Sequence, residues 1–193
     1  MRVAPIGLAS DDPFTVGGQA AALTHGHPSG YLAAGAFALM ISELARGLDL
    51  PGAVQTAIGR LSRADGGEET TEALRAAVRA AERGPLAADM IGVLGEGWVA
   101  EEALAIATHC ALTATGFRSG VLHAVNHSGD SDSTGAICGN LLGTSLGAGA
   151  IDDGLLGELE GRAVIGQVAD DLCDAFAEGR PPPGERYPAE PGE

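Results

Sequence analysis

The chain has 193 residues, enough for one compact domain with a true core; 45% of them are hydrophobic but only 4% aromatic. Its formal charge of −15 excludes a large nucleic-acid or anionic-membrane footprint, since either surface would repel most of the protein. Every cation among the 11 Lys and Arg positions is Arg, a Lys-free, Ala- and Gly-rich composition that points to a GC-rich bacterial genome.

Three widely spaced cysteines without a CxxC pair speak against a disulfide framework or zinc ribbon. Cys110 and Cys173 fall on apolar helix positions and are expected to be small core residues. The first ten residues lack a basic, then apolar, leader pattern, and no apolar run approaches membrane-spanning length. The expected location is the cytoplasm.

In chain order, the stretch from Gly17 to Leu23 predicts a short helix that breaks at Thr24-His25-Gly26-His27-Pro28. Tyr31 to Arg46 predicts a second, apolar helix stopped by Gly47. From Glu68 to Arg83, acids crowd the start and arginines the end, as the helix dipole favours. Leu74, Ala77, Val78 and Ala81 supply its buried stripe. Val99 to Leu112 repeats the pattern, with Val99, Ala103, Ile106, Ala107 and Cys110 inward. A small-residue helix follows over Ala136 to Leu146, and Val164, Val168, Leu172 and Phe176 form a last apolar stripe. No window shows convincing strand alternation, so the fold class is all-α. The domain is expected to span residues 1–177, and the Pro-, Gly- and charge-rich residues 178–193 are expected to be a disordered tail.

Chemistry concentrates in His127-Ser128-Gly129-Asp130-Ser131-Asp132-Ser133-Thr134-Gly135. Two carboxylates at i, i+2 among hydroxyls are hard oxygen donors, suited to Mg²⁺, Mn²⁺ or Ca²⁺ rather than zinc. Spacing alone favours a plain structural role, with Asp130 or Asp132 capping the helix that follows. A calcium EF-hand fails, because its twelfth position is Leu141 instead of Glu. His25 and His27 read as polar turn or substrate-contacting residues ahead of a transition-metal pair, for want of a third ligand nearby. Gly143-Thr144-Ser145-Leu146-Gly147 matches the nucleophile-elbow expression, but it continues a helix where that motif needs a strand before the serine.

The run Gly129-Asp130-Ser131-Asp132-Ser133-Thr134-Gly135-Ala136-Ile137, followed by Gly139-Asn140-Leu141-Leu142-Gly143, resembles the C-terminal signature of the ADP-ribosylglycohydrolases. That family includes the dinitrogenase-reductase-activating glycohydrolases. Four further segments resemble it in the same order: Met1 to Gly7, the Thr24-His25 turn with Pro28, Gly95 to Leu104, and Phe117 to Asn126. The resemblance implies a compact orthogonal multi-helix bundle and hydrolysis of the bond between ADP-ribose and a modified side chain, most often arginine. It also implies two Mg²⁺ ions (Mn²⁺ as the substitute), with Asp130 and Asp132 as catalytic metal ligands and Ser133 completing the set. His25, Ser128, Gly129, Ser131, Met1 and Arg2 would lie along the substrate, an ADP-ribosylated protein or a small ADP-ribosyl compound.

In one respect the sequence departs from the family pattern. The Gly-Asp-x-x-Gly and Thr-Asp-Asp-type segments that supply the other half of the metal shell are not in it. The expectation is therefore a domain without its N-terminal helices, through an internal start, a natural truncation or a separate chain. Such a domain is open to self-association. The competing expectation is a non-catalytic remnant that binds ADP-ribose weakly or not at all.

Overall fold

The computed structural model describes residues 1–180 and 186–187, and the chain divides into two compact units, Met1–Asp152 and Asp153–Glu193. Among the described residues the regular elements are all helices, and none is long and apolar enough to cross a membrane.

The first unit runs α1 (Ala4–Ala9), α2 (Pro13–Ala22), α3 (Pro28–Ala45), α4 (Leu50–Leu61), α5 (Glu68–Ala81), α6 (Ala100–Leu112), α7 (Phe117–Val125) and α8 (Ser131–Leu146). Local chemistry sets these limits. Asp12 and Asp49 accept backbone N–H bonds at the starts of α2 and α4, and a proline sits in the first turn of each. Gly47, with φ at +94°, takes the left-handed conformation just past α3, as its position predicted.

Helix α3 is the axis of this unit and packs against α1, α2, α4, α6 and α8. It is lined with alanine and glycine, which is why the chain manages with so few aromatics. At Gly35 a Cβ would stand 2.5 Å from the Phe14 carbonyl oxygen, so α2 and α3 meet almost backbone to backbone. Phe37, Met40 and Ile41 fill the space on the far side and are fully buried. In α5, Leu74 and Ala77 are completely buried, while Val78 and Ala81 are only partly covered. In α6 the inward residues are Ala103, Ile106, Ala107 and Cys110; Val99, expected inside, precedes the helix and is 47% exposed.

Cys110 on α6 and Cys138 on α8 are buried as thiols. Burial pushes the Cys110 thiol up to about 12 and raises that of Cys138 further, the neighbouring Cys110 adding to the effect.

The second unit contains α9 (Asp153–Gly157) and α10 (Arg162–Phe176). Its longer helix lies where the apolar stripe placed it, but the burial expected of that stripe is not found. Val164, Val168 and Phe176 are all about half exposed or more, and Cys173, expected in a core, is exposed too. Two helices of this length enclose too little volume to bury a stripe among themselves. Here Asp171 instead holds Arg186 and Tyr187 through its carboxylate, and the Arg186 guanidinium keeps the Asp171 carboxyl below its usual range. The tail expected over residues 178–193 lies for the most part outside the described residues.

Candidate active site

The acidic motif forms the entry to α8. Asp130 is the N-cap, and its Oδ1 accepts from the Ser133 N–H at 3.4 Å, while Oδ1 of Asp132 accepts from the same N–H at 2.9 Å. Both carboxylates thus sit on the positive end of a helix, where a negative charge is stabilised. A hydrogen bond with the Asp132 side chain lowers the Asp130 carboxyl from its ordinary range; burial opposes this, and the Ser133 donors reinforce it. The capping role and a cation-binding role are compatible, because a capped carboxylate still presents an oxygen outward.

Two scaffolds fix this turn. His127 accepts the Gly129 N–H at its Nδ1 (3.1 Å), so its proton sits on Nε2, which donates to Thr134 Oγ1 at 2.9 Å. Thr134, wholly buried, passes its own proton to the Ala124 carbonyl at 2.7 Å and so ties the motif to α7. On the other side, the Asp130 N–H donates to the Glu96 carbonyl at 2.9 Å. The loop carrying Glu96 is held in turn by Glu102, whose Oε2 accepts the N–H groups of Glu96 and Gly97 at 3.0 and 3.1 Å. Replacing Glu102 by Ala orphans two donors. We expect a loss of about 1–2 kcal/mol of stability, measured by urea unfolding.

A cavity of about 820 Å³ opens beside this turn. It brings together Asp130 and Ser133 of α8, His25 of the α2–α3 turn, and Met1 and Arg2 from the first residues of the chain. The remaining residues singled out in the sequence, Ser128, Gly129, Ser131 and Asp132, lie on the turn itself and do not line the cavity. Arg2 reaches across to donate to the Ala20 carbonyl and to Thr24 Oγ1, and Thr24 Oγ1 stands 2.8 Å from Nδ1 of His25. His27 also lines the cavity, its Nδ1 capping α3 through Ser29 and lying 3.8 Å from Glu69. The Gly143-Ser145-Gly147 pattern lies along α8 and its C-cap, without the strand its chemistry needs.

Sequence reasoning passed over Trp98, Glu101 and Glu69 as site residues, though all three line the cavity. The signal was present in Gly95-Glu96-Gly97-Trp98, a helix-breaking run that carries the single Trp of the chain at 68% exposure.

The oxygen donors here are of the kind a hard divalent cation takes. Among the described residues, however, no group of three or more His, Cys, Asp or Glu side chains could hold a metal. Asp130, Asp132 and Ser133 do not make a complete cation site by themselves.

Against known proteins, no curated relative matches the chain. The family model described as ADP-ribosylglycohydrolase matches residues 1–182, which takes in the whole first unit, the cavity and the acidic turn. With all-helical architecture and nearly full coverage in agreement, the chain belongs to the ADP-ribosylglycohydrolase family.

Proposed function

We infer that this chain takes part in hydrolysing the N-glycosidic bond between ADP-ribose and an arginine side chain of a modified protein. The observation that carries this reading is the convergence of His25, Met1, Arg2, Asp130 and Ser133 on one cavity, from three distant parts of the sequence. Its volume is in the range that suits a nucleotide-sized ligand. Its walls are apolar at Ala33, Phe37, Leu104 and Ile137 and polar at the acidic turn, a division that suits a ligand with an aromatic base and a hydroxylated sugar.

Members of this family generally use divalent metals, and Asp130, Asp132 and Ser133 would be the ligands contributed here to a di-magnesium site. A bound Mg²⁺ would supply Lewis acidity at the ribose. The chain's own residues do the rest. The Asp130 and Asp132 carboxylates hold negative charge at a fixed place, and His25, steadied by Thr24, contacts the ADP-ribose. Ser128, Gly129 and Ser131 do not line the cavity and would meet the terminal ribose only where it extends beyond the cavity onto the turn. We place the protein in the cytoplasm.

A second reading, a domain that binds ADP-ribose without cleaving it, is favoured by the incomplete donor set. Release of ADP-ribose from an ADP-ribosylarginine protein, followed with Mg²⁺ and with excess chelator, separates the two. We expect metal-dependent release; tight binding of ADP-ribose without release would establish the second reading.

A further inference from the structure

Two histidines outside the cavity hold the backbone of one residue between them. His109 of α6 and His123 of α7 meet edge-on, with ring centroids 6.0 Å apart. Leu86, in the connection between α5 and α6, donates its N–H to Nε2 of His109 at 3.1 Å. Its carbonyl oxygen lies 2.5 Å from Nε2 of His123 and accepts from it. Around this clasp the connection is open, with Pro85 and the residues from Ala87 to Met90 exposed. It leads on to Gly97 and Trp98 at the cavity.

The two bonds answer a proton differently. His123 donates to a carbonyl, and its Nε2–H persists whether the ring is neutral or charged. His109 accepts an N–H, so its Nε2 must be bare and the neutral ring carries its proton on Nδ1. A second proton on His109 would orphan the Leu86 N–H and place a cation on a ring that is completely buried.

Among the described residues no acid offsets that charge. Desolvation holds the His109 pKa below its ordinary value, and His123 on α7 adds to the lowering. The Ala77 carbonyl of α5 acts against this, without closing a well-formed bond to Nδ1. The charged side chains of α5 are exposed, as are Glu82, Arg83 and Asp89 of the connection, Arg118 of α7 and Asp132 of α8. Glu43 of α3 pairs with Arg46, and Arg60 of α4 lies over Phe14. On α6 itself Glu101 and Glu102 stand about two turns before His109. Cys110 and Cys138 stay neutral thiols.

We propose that His109 and His123 form an acid-sensitive latch on the connection between α5 and α6, shut while His109 accepts the Leu86 N–H and released when that ring takes a second proton. The open latch, with His109 in water, takes its proton near the ordinary value of 6.5, and the shut latch only at lower pH. The shut form therefore loses stability as the pH falls below about 6.5.

Amide hydrogen exchange at Leu86, resolved by NMR in the full chain and expressed as protection relative to free peptide at each pH, tests the proposal. Between about pH 7.5 and 5.5 the protection of Leu86 should fall about tenfold, the effect of one proton taken up by the open form alone. Met40 and Ile41, within α3, should keep theirs. His109→Gln, whose amide oxygen can accept the same N–H without titrating, should remove the pH dependence, and His123→Gln should leave it. Constant protection at Leu86 overturns the proposal, as does a parallel fall at Leu86 and in α3, which would be acid unfolding of the whole unit. A fall that survives His109→Gln, or vanishes in His123→Gln, places the proton elsewhere and overturns it too. If His109→Gln does not fold, the ring nitrogen shifts of His109 in the native chain decide. A bare Nε2 while Leu86 is protected supports the latch; a charged ring with Leu86 still protected overturns it.

Discussion

Replacing Asp130 and Asp132 together by Asn is expected to abolish Mg²⁺-dependent binding of ADP-ribose while leaving the fold intact. Both halves of that result come from the geometry of the turn. Asn caps a helix about as well as Asp, so the bonds to the Ser133 N–H survive the exchange. What disappears is negative charge, the property that a hard cation requires. The Asp130 carboxyl, held below its ordinary range, stays ionised down to lower pH than a free carboxylate, so the contrast between native and variant chains should persist into mildly acid solution. Titration of Mg²⁺ and then ADP-ribose should show at least about a hundredfold weakening in the variant, the scale of losing several kcal/mol of charge interaction. Unfolding curves of the two proteins should coincide. Undiminished binding in a well-folded variant would remove the acidic turn from the site.

Gly129→Ala is expected to be the most damaging single exchange near the cavity. A Cβ at this position would stand 1.8 Å from the carbonyl oxygen of Glu96. The obstacle is backbone, so no side-chain rotation relieves it. The neighbouring Asp130 N–H bonds to that same carbonyl, and the two stretches of chain must separate to admit a methyl group. A loss of about 3 kcal/mol or more is expected in urea unfolding, with ADP-ribose binding lost as the turn shifts. A loss below about 1 kcal/mol would mean that the Glu96 loop yields easily, and that Glu102 is a weaker anchor than its two bonds imply.

How much of this was legible in the sequence varied with how local the cause was. Helices α5 and α6 could be read because their charge gradients and apolar stripes are properties of consecutive residues. The stop at Gly47 was legible for the same reason. Helix α4 carries equally good signals, an Asp49 cap, Pro51 in the first turn, and Leu50, Ala53, Val54, Ala57, Ile58 and Leu61 on one face, and they were overlooked. Helix α8 starts five residues before its expected beginning because Ser, Asp, Thr and Gly favour turns in isolation; capping by Asp130 and the Thr134 contact with α7 draw them into the helix. The stripe on α10 gave the helix correctly and its surroundings wrongly, since periodicity says which face is apolar and nothing about what covers it. At the site, the acidic turn announced itself by composition. The clasp on Leu86 did not, because His109, His123 and Leu86 come together only once the chain has folded.

The three cysteines give the molecule an internal clock. A thiol reagent added to the folded chain meets Cys173 in the open, while Cys110 and Cys138 are shielded by packing and by thiols that resist ionisation. Those two react only when α6 and α8 part, and α8 is the helix that begins at the Asp130 cap. The slow phase of labelling therefore counts how often the floor beneath the acidic turn opens, residue by residue and without any introduced probe.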